Sequence, residues 1–117
     1  MAAYFCCWEP HLAIDPEKDE DGDRFQAILA ERLPPSPKML AFVDFLLAKY
    51  PDLTENDDTI WADGPLKNNI SGSVISFTVT WSSYTEARMF IRPAARMHGL
   101  DFYDPQAPLY VPAGVKG

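Results

Sequence analysis

Residues 75–81 alternate without a break: Ile75, Phe77, Val79 and Trp81 are apolar, and Ser76, Thr78 and Thr80 between them are polar. Successive side chains of a strand point to opposite faces, so this stretch predicts a strand with one buried face and one wet face. That pattern belongs to antiparallel sheets, because parallel sheets are covered on both sides. Any fold of this chain must therefore supply partner strands and an apolar layer over one side.

The rest of the chain offers both. Residues 3–8 are apolar on both faces and predict a central strand, ended by Pro10. An acidic loop over 9–23 leads into a first helix, about 23–33, with Phe25, Ile28, Leu29 and Leu33 on one stripe and Asp21 or Asp23 placed to cap it. Pro34-Pro35 closes it. Ser36 then reads as an N-cap with Pro37 at the first helical position. This second helix runs to about Tyr50 on a stripe of Met39, Leu40, Val43, Leu46, Leu47 and Tyr50; Phe42 and Phe45 widen it, as expected of a sandwiched helix. Pro51 ends it, and a polar loop follows over 52–72.

Beyond the alternating strand, Ser83 and Glu86 form a capping-box pattern that opens a third helix. Its buried stripe is Ala87, Phe90, Ile91, Ala94 and Ala95. Pro93 is placed to kink it or break its hydrogen-bond ladder, and Gly99 to end it in a left-handed conformation. Two short strands, 101–103 and 109–111, follow across Asp104-Pro105-Gln106-Ala107, and 113–117 reads as a frayed tail. The order is β-α-α-β-α-β-β. The expected architecture is α+β: a mainly antiparallel sheet of about four strands with three helices packed on one face, all in one domain over 1–117. At 117 residues and 47% apolar content the chain can fill a single core.

No apolar run approaches the roughly 20 residues of a membrane span. The N-terminus has no Lys or Arg ahead of its short apolar stretch, so it does not read as a signal peptide, and a cytoplasmic location is expected. Cys6 and Cys7 are adjacent in a strand and point to opposite faces, which favours two buried free thiols over a bridge. Trp8 and Trp81 are assigned to the core.

Charge is unevenly spread. Net charge is −7; residues 1–63 carry 14 acidic against 5 basic side chains, whereas residues 64–117 carry 3 against 5. An acidic half argues against nucleic acid as a ligand and favours a basic partner or simple solubility. The loop carboxylates fail as a calcium site: with Gly22 at the sixth position of an EF-hand loop, the twelfth is Ile28, which cannot ligate. His11 and His98 are the only histidines. His98 sits at a helix C-terminus, where an imidazole complements the dipole. No nucleophile motif, glycine-rich phosphate loop or zinc spacing is present. Neither an enzyme nor a cofactor is expected. The alternatives to a binding role are an adaptor module acting through homodimerisation and a small ligand-binding domain or enzyme gathering His98 or His11 with Cys6 or Cys7.

Candidate partner-binding residues are Asp15, Glu17, Asp19, Glu20 and Asp21 of the first acidic segment, and Asp57, Asp58, Trp61 and Asp63 of the second. Trp61 either pins its long loop to the core or waits for a partner. Arg88 and Arg92, with Arg96, recur every four residues beside the apolar stripe of the third helix. They form either a solvated face paired with the chain's own acids or a row that grips carboxylates of a partner.

Several segments occur together in order: Trp8-Glu9-Pro10, Pro34-Pro35-Ser36-Pro37, Tyr50-Pro51-Asp52-Leu53, Trp61 with Gly64-Pro65-Leu66, His98-Gly99-Leu100 and Tyr103-Asp104-Pro105-Gln106. In this the chain resembles a family of small bacterial proteins, some of them similar to immunity proteins of secreted-toxin systems. The resemblance implies a domain of the order above, working in the cytoplasm against a toxin delivered by a contact-dependent or type VI system. The family supplies no catalytic motif. The function expected on this basis is stoichiometric inhibition of a cognate toxin with a basic surface.

Overall fold

A computed structural model of the protein describes residues 2–16, 18, 22–53, 55 and 58–113. Five strands form one antiparallel sheet: β1 (Ala2–Trp8), β2 (Ile70–Ser71), β3 (Val74–Thr80), β4 (Asp101–Asp104) and β5 (Leu109–Val111), in the order β2-β3-β1-β4-β5. The helices are α1 (Asp23–Ala30), α2 (Pro37–Lys49) and α3 (Tyr84–Met97). The α+β architecture and element order match the sequence reading. The additional strand is β2, a two-residue pairing inside what reads as a polar loop, too short to carry an alternation of its own.

Strand β1 is central, as its two apolar faces predict. Phe5 opposes Phe77, and Cys7 opposes both Ile75 and Phe102. With Ala3, Val79 and Val111 these side chains form one face, covered by α2 and α3. The other face carries Cys6, Trp8 and Val74, packed against Ile14 and against Phe25, Ile28 and Leu29 of α1. The helices therefore divide between the two faces, correcting the expectation that all three share one. Trp8 requires this: a large ring on the second face of a central strand needs its own cover, supplied by Phe25 and Tyr110 at ring distances of 5.8 and 5.9 Å.

Local signals act as their chemistry dictates at some boundaries and fail at others. The Ser36 hydroxyl accepts from the Met39 amide at 3.2 Å, with Pro37 at the first helical position. Gly99, at φ +69°, completes a Schellman turn: its amide donates to the Arg96 carbonyl and that of Leu100 to the Ala95 carbonyl. Helix α1 stops at Ala30, short of the expected 33. Arg32 adopts a left-handed φ of +53°, and Leu33, ahead of Pro34, gives its amide to the Ser71 hydroxyl. The capping box at Ser83 does not form. Its hydroxyl accepts from Thr80 at 2.9 Å, and a 3-10 turn over Trp81–Ser83 carries β3 into α3. That turn swings Trp81 out of the alternation to 50% exposure, which corrects its assignment to the core.

Ala113 is held rather than frayed, its amide donating to Asp101 Oδ1 at 2.6 Å; residues 114–117 lie outside the described residues. Asp104, fully buried, ties α3 to the sheet. It accepts from the Tyr84 hydroxyl at 2.5 Å and from the amide and side chain of Gln106 at 2.9 and 2.6 Å. Replacing Tyr84 with Phe strips one donor from a buried carboxylate. A loss of about 1–3 kcal/mol is expected in urea unfolding, and an unchanged midpoint would show that the contact is dispensable.

Candidate interaction surface

The groups with chemical potential are dispersed. Cys6 and Cys7 lie on opposite faces of β1, both buried and both free. Burial pushes the Cys6 thiol up to about 12 and drives that of Cys7 well above its ordinary value, so neither supplies a thiolate at neutral pH. His11 is exposed in a 3-10 turn. His98 caps α3, with Nδ1 2.9 Å from the Ala94 carbonyl and its ring near those of Phe42 and Phe45. Among the described residues no group of three or more His, Cys, Asp or Glu could hold a metal ion.

Trp61 takes the first of its two alternatives. It is 1% exposed, and its indole N–H donates to the Tyr50 carbonyl at 2.9 Å. Flanking backbone bonds, from the Ala62 amide to the Thr78 carbonyl and from the Thr80 amide to the Ile60 carbonyl, dock the loop along the outer edge of β3. A partner would have to unfold this segment to reach the ring. Of the candidate acids, Asp58 and Asp63 are exposed and Asp15 is half-buried. Glu17, Asp19, Glu20, Asp21 and Asp57 lie outside the described residues. Asp52, from the same acidic stretch, is buried, and its Oδ2 accepts from the Leu66 amide at 3.1 Å.

The surface with the most unspent contact potential is the outer side of α3. The helix buries mainly small residues, Ala87, Ala94 and Ala95 with Ile91, against the sheet. Tyr84 and Phe90 also pack against the core, but its two methionines point the other way: Met89 is 71% exposed and Met97 68%, and Trp81 stands at the head of the helix. Trp81 stacks on Tyr84 at 5.3 Å, and the Arg88 guanidinium lies over the Tyr84 ring at 5.6 Å. Arg88, Met89, Arg92, Pro93 and Arg96, with Val111 of the edge strand β5, line a groove of about 280 Å³. Among the described residues none of these arginines is paired with a carboxylate; the ion pair present there, Lys67–Asp44 at 3.0 Å, lies elsewhere. Arg92 Nε is buried with no hydrogen-bond partner among the described residues. The pairing with the chain's own acids that would make this an ordinary solvated face is therefore not seen.

Sequence reasoning singled out Arg88 and Arg92 but missed Trp81, Met89 and Met97. The available signal was the inversion on α3, where alanines occupy the stripe and methionines the outside. Comparison with protein-family models, with curated proteins and with solved structures finds no match.

The buried thiols yield a direct expectation. In the native protein at neutral pH neither cysteine should react appreciably with a thiol-specific disulfide reagent over the time that the urea-unfolded chain takes to react fully. Rapid native labelling at either position would show that β1 opens or that its thiols are reachable.

Proposed function

We propose that the chain acts by covering a surface of another protein and, in the form its resemblance implies, that it is an immunity protein which neutralises a cognate bacterial toxin stoichiometrically. The observation that carries this reading is the outer face of α3 and its leading turn, which presents Trp81, two exposed methionines and a row of arginines with no carboxylate partner among the described residues. Interfaces are enriched in these side-chain types, and Trp and Arg dominate binding energies where water is excluded. A structural role would bury the methionines or pair the arginines; neither is seen among the described residues. Inhibition by occlusion asks no chemistry of the inhibitor, which suits thiols locked in the core and a histidine spent on capping a helix.

The test is co-expression with the product of the adjacent gene. A stoichiometric complex should form, cells should survive that protein only when this chain is present, and Trp81→Ala should weaken the complex by about tenfold or more. Absence of both complex and rescue would remove the immunity reading.

A further inference from the structure

We infer that the outer groove of α3 receives an acidic segment of the partner protein, one that sets carboxylates beside an aliphatic or aromatic anchor. The inference rests on the binding-protein reading above and adds the chemistry of what is bound. It reverses the simplest expectation from a net charge of −7, that the partner is met only through its basic surface.

Among the described residues the arginines have no carboxylate partner, and the acids of their own half of the chain are engaged elsewhere. Residues 64–117 contain three acidic side chains, Glu86, Asp101 and Asp104. Asp101 and Asp104 are buried and accept hydrogen bonds from within the fold. Glu86 faces the phenol of Tyr50, which burial together with that carboxylate pushes up to about 12. Arg88, Arg92 and Arg96 are thus left on one side of a helix with forks suited to bidentate carboxylate binding. Steps of four residues place them about 6 Å apart along the axis and about 40° apart around it. The row of Met89, Pro93 and Met97 runs beside them. A segment with acids along one row and an apolar side chain on the next meets both at once, its carboxylates reaching the guanidinium groups that line the groove.

Other occupants fit less well. A second copy placed symmetrically on this face would set arginine row against arginine row, and like charges oppose that pairing. A nucleic acid or an anionic lipid surface would satisfy the guanidinium groups, but the strongly acidic remainder of the chain repels both.

The probe is a short, blocked, helix-forming peptide of Glu, Leu and Ala with Glu at every fourth position, titrated into the full chain and followed by amide chemical-shift changes. Shifts should concentrate at residues 81–97 and at Val111, and a peptide with Lys in place of Glu should produce none. Arg92→Gln should weaken the response about tenfold or more. The combined variant Arg88→Glu, Arg92→Glu and Arg96→Glu should accept the Lys peptide and lose the Glu peptide, which separates recognition from misfolding. Equal binding of both peptides, no shifts at 81–97, undiminished binding by Arg92→Gln, or stronger shifts with duplex DNA or phosphatidylserine vesicles would each overturn the inference. Toxin capture and cell rescue do not involve the peptide. Their success beside a failed titration would therefore overturn this inference alone, and their failure beside a successful one the immunity reading alone.

Discussion

Strand β1 carries large side chains on both of its faces, Phe5 and Cys7 on one, Cys6 and Trp8 on the other, and two separate layers must cover it. Burying each of the larger ones contributes about 1.5–3 kcal/mol, so neither face can be left wet without a large loss. The first layer is α2 and α3; the second is α1 with the loop through Ile14. The two are not equivalent. Phe5 stacks on Tyr84 at 5.8 Å and packs against Phe102 at 5.6 Å, and the Tyr84 hydroxyl reaches Asp104. The head of α3 is thereby fixed to the central and fourth strands at once. Once Tyr84 is fixed, the 3.6-residue period decides which side of α3 faces water.

What could be read from the sequence follows from how local each signal is. The alternation over residues 75–80, the Ser36-Pro37 start of α2 and the Gly99 stop of α3 are decided by neighbours a few residues away, and they appear as the residues dictate. The misplaced features depend on distant contacts. Ser83 has the composition of a capping box, but Thr80 reaches its hydroxyl first. Trp81 continues the alternation on paper, but the strand ends one residue earlier. Helix α1 shows an ordinary amphipathic stripe, and nothing in that stripe records which side of the sheet it will meet. Trp61 could be placed only by knowing that β3 has an outer edge to be closed. The loop around it supplies that closure, protecting an exposed row of backbone groups.

The same distinction governs the candidate interaction surface. The arginine row is local and legible, four residues apart on a helix. Its lack of carboxylate partners among the described residues is a property of the fold. Asp101 and Asp104 are close in sequence to α3 and would pass for its counter-charges, yet both are directed inward, to Ala113 and Tyr110 in one case and to Tyr84 and Gln106 in the other. A buried carboxylate needs its donors, and withdrawing either acid to neutralise an arginine would leave those donors unpaired at a cost of about 1–3 kcal/mol each. The interior of the domain thus holds its acids in place, and the outer face of α3 stays cationic in a chain that is acidic as a whole.

That arrangement bears on how a partner would be met. At separations beyond roughly 10 Å at moderate salt, exposed charges are largely screened, so the acidic first half and the arginine face act on an approaching protein as distinct regions rather than as an average of −7. A surface of mixed sign can fix orientation as well as attract, because a wrongly rotated partner sets like charges against each other. Trp81, Met89 and Met97 would then make a fixed orientation count, since their apolar area would be gained only if a partner seated closely enough to exclude water. Long-range sign and short-range packing meet on one helix and its leading turn, and Tyr84 joins them to the interior: its ring carries Trp81 and Arg88 while its hydroxyl is held by buried Asp104.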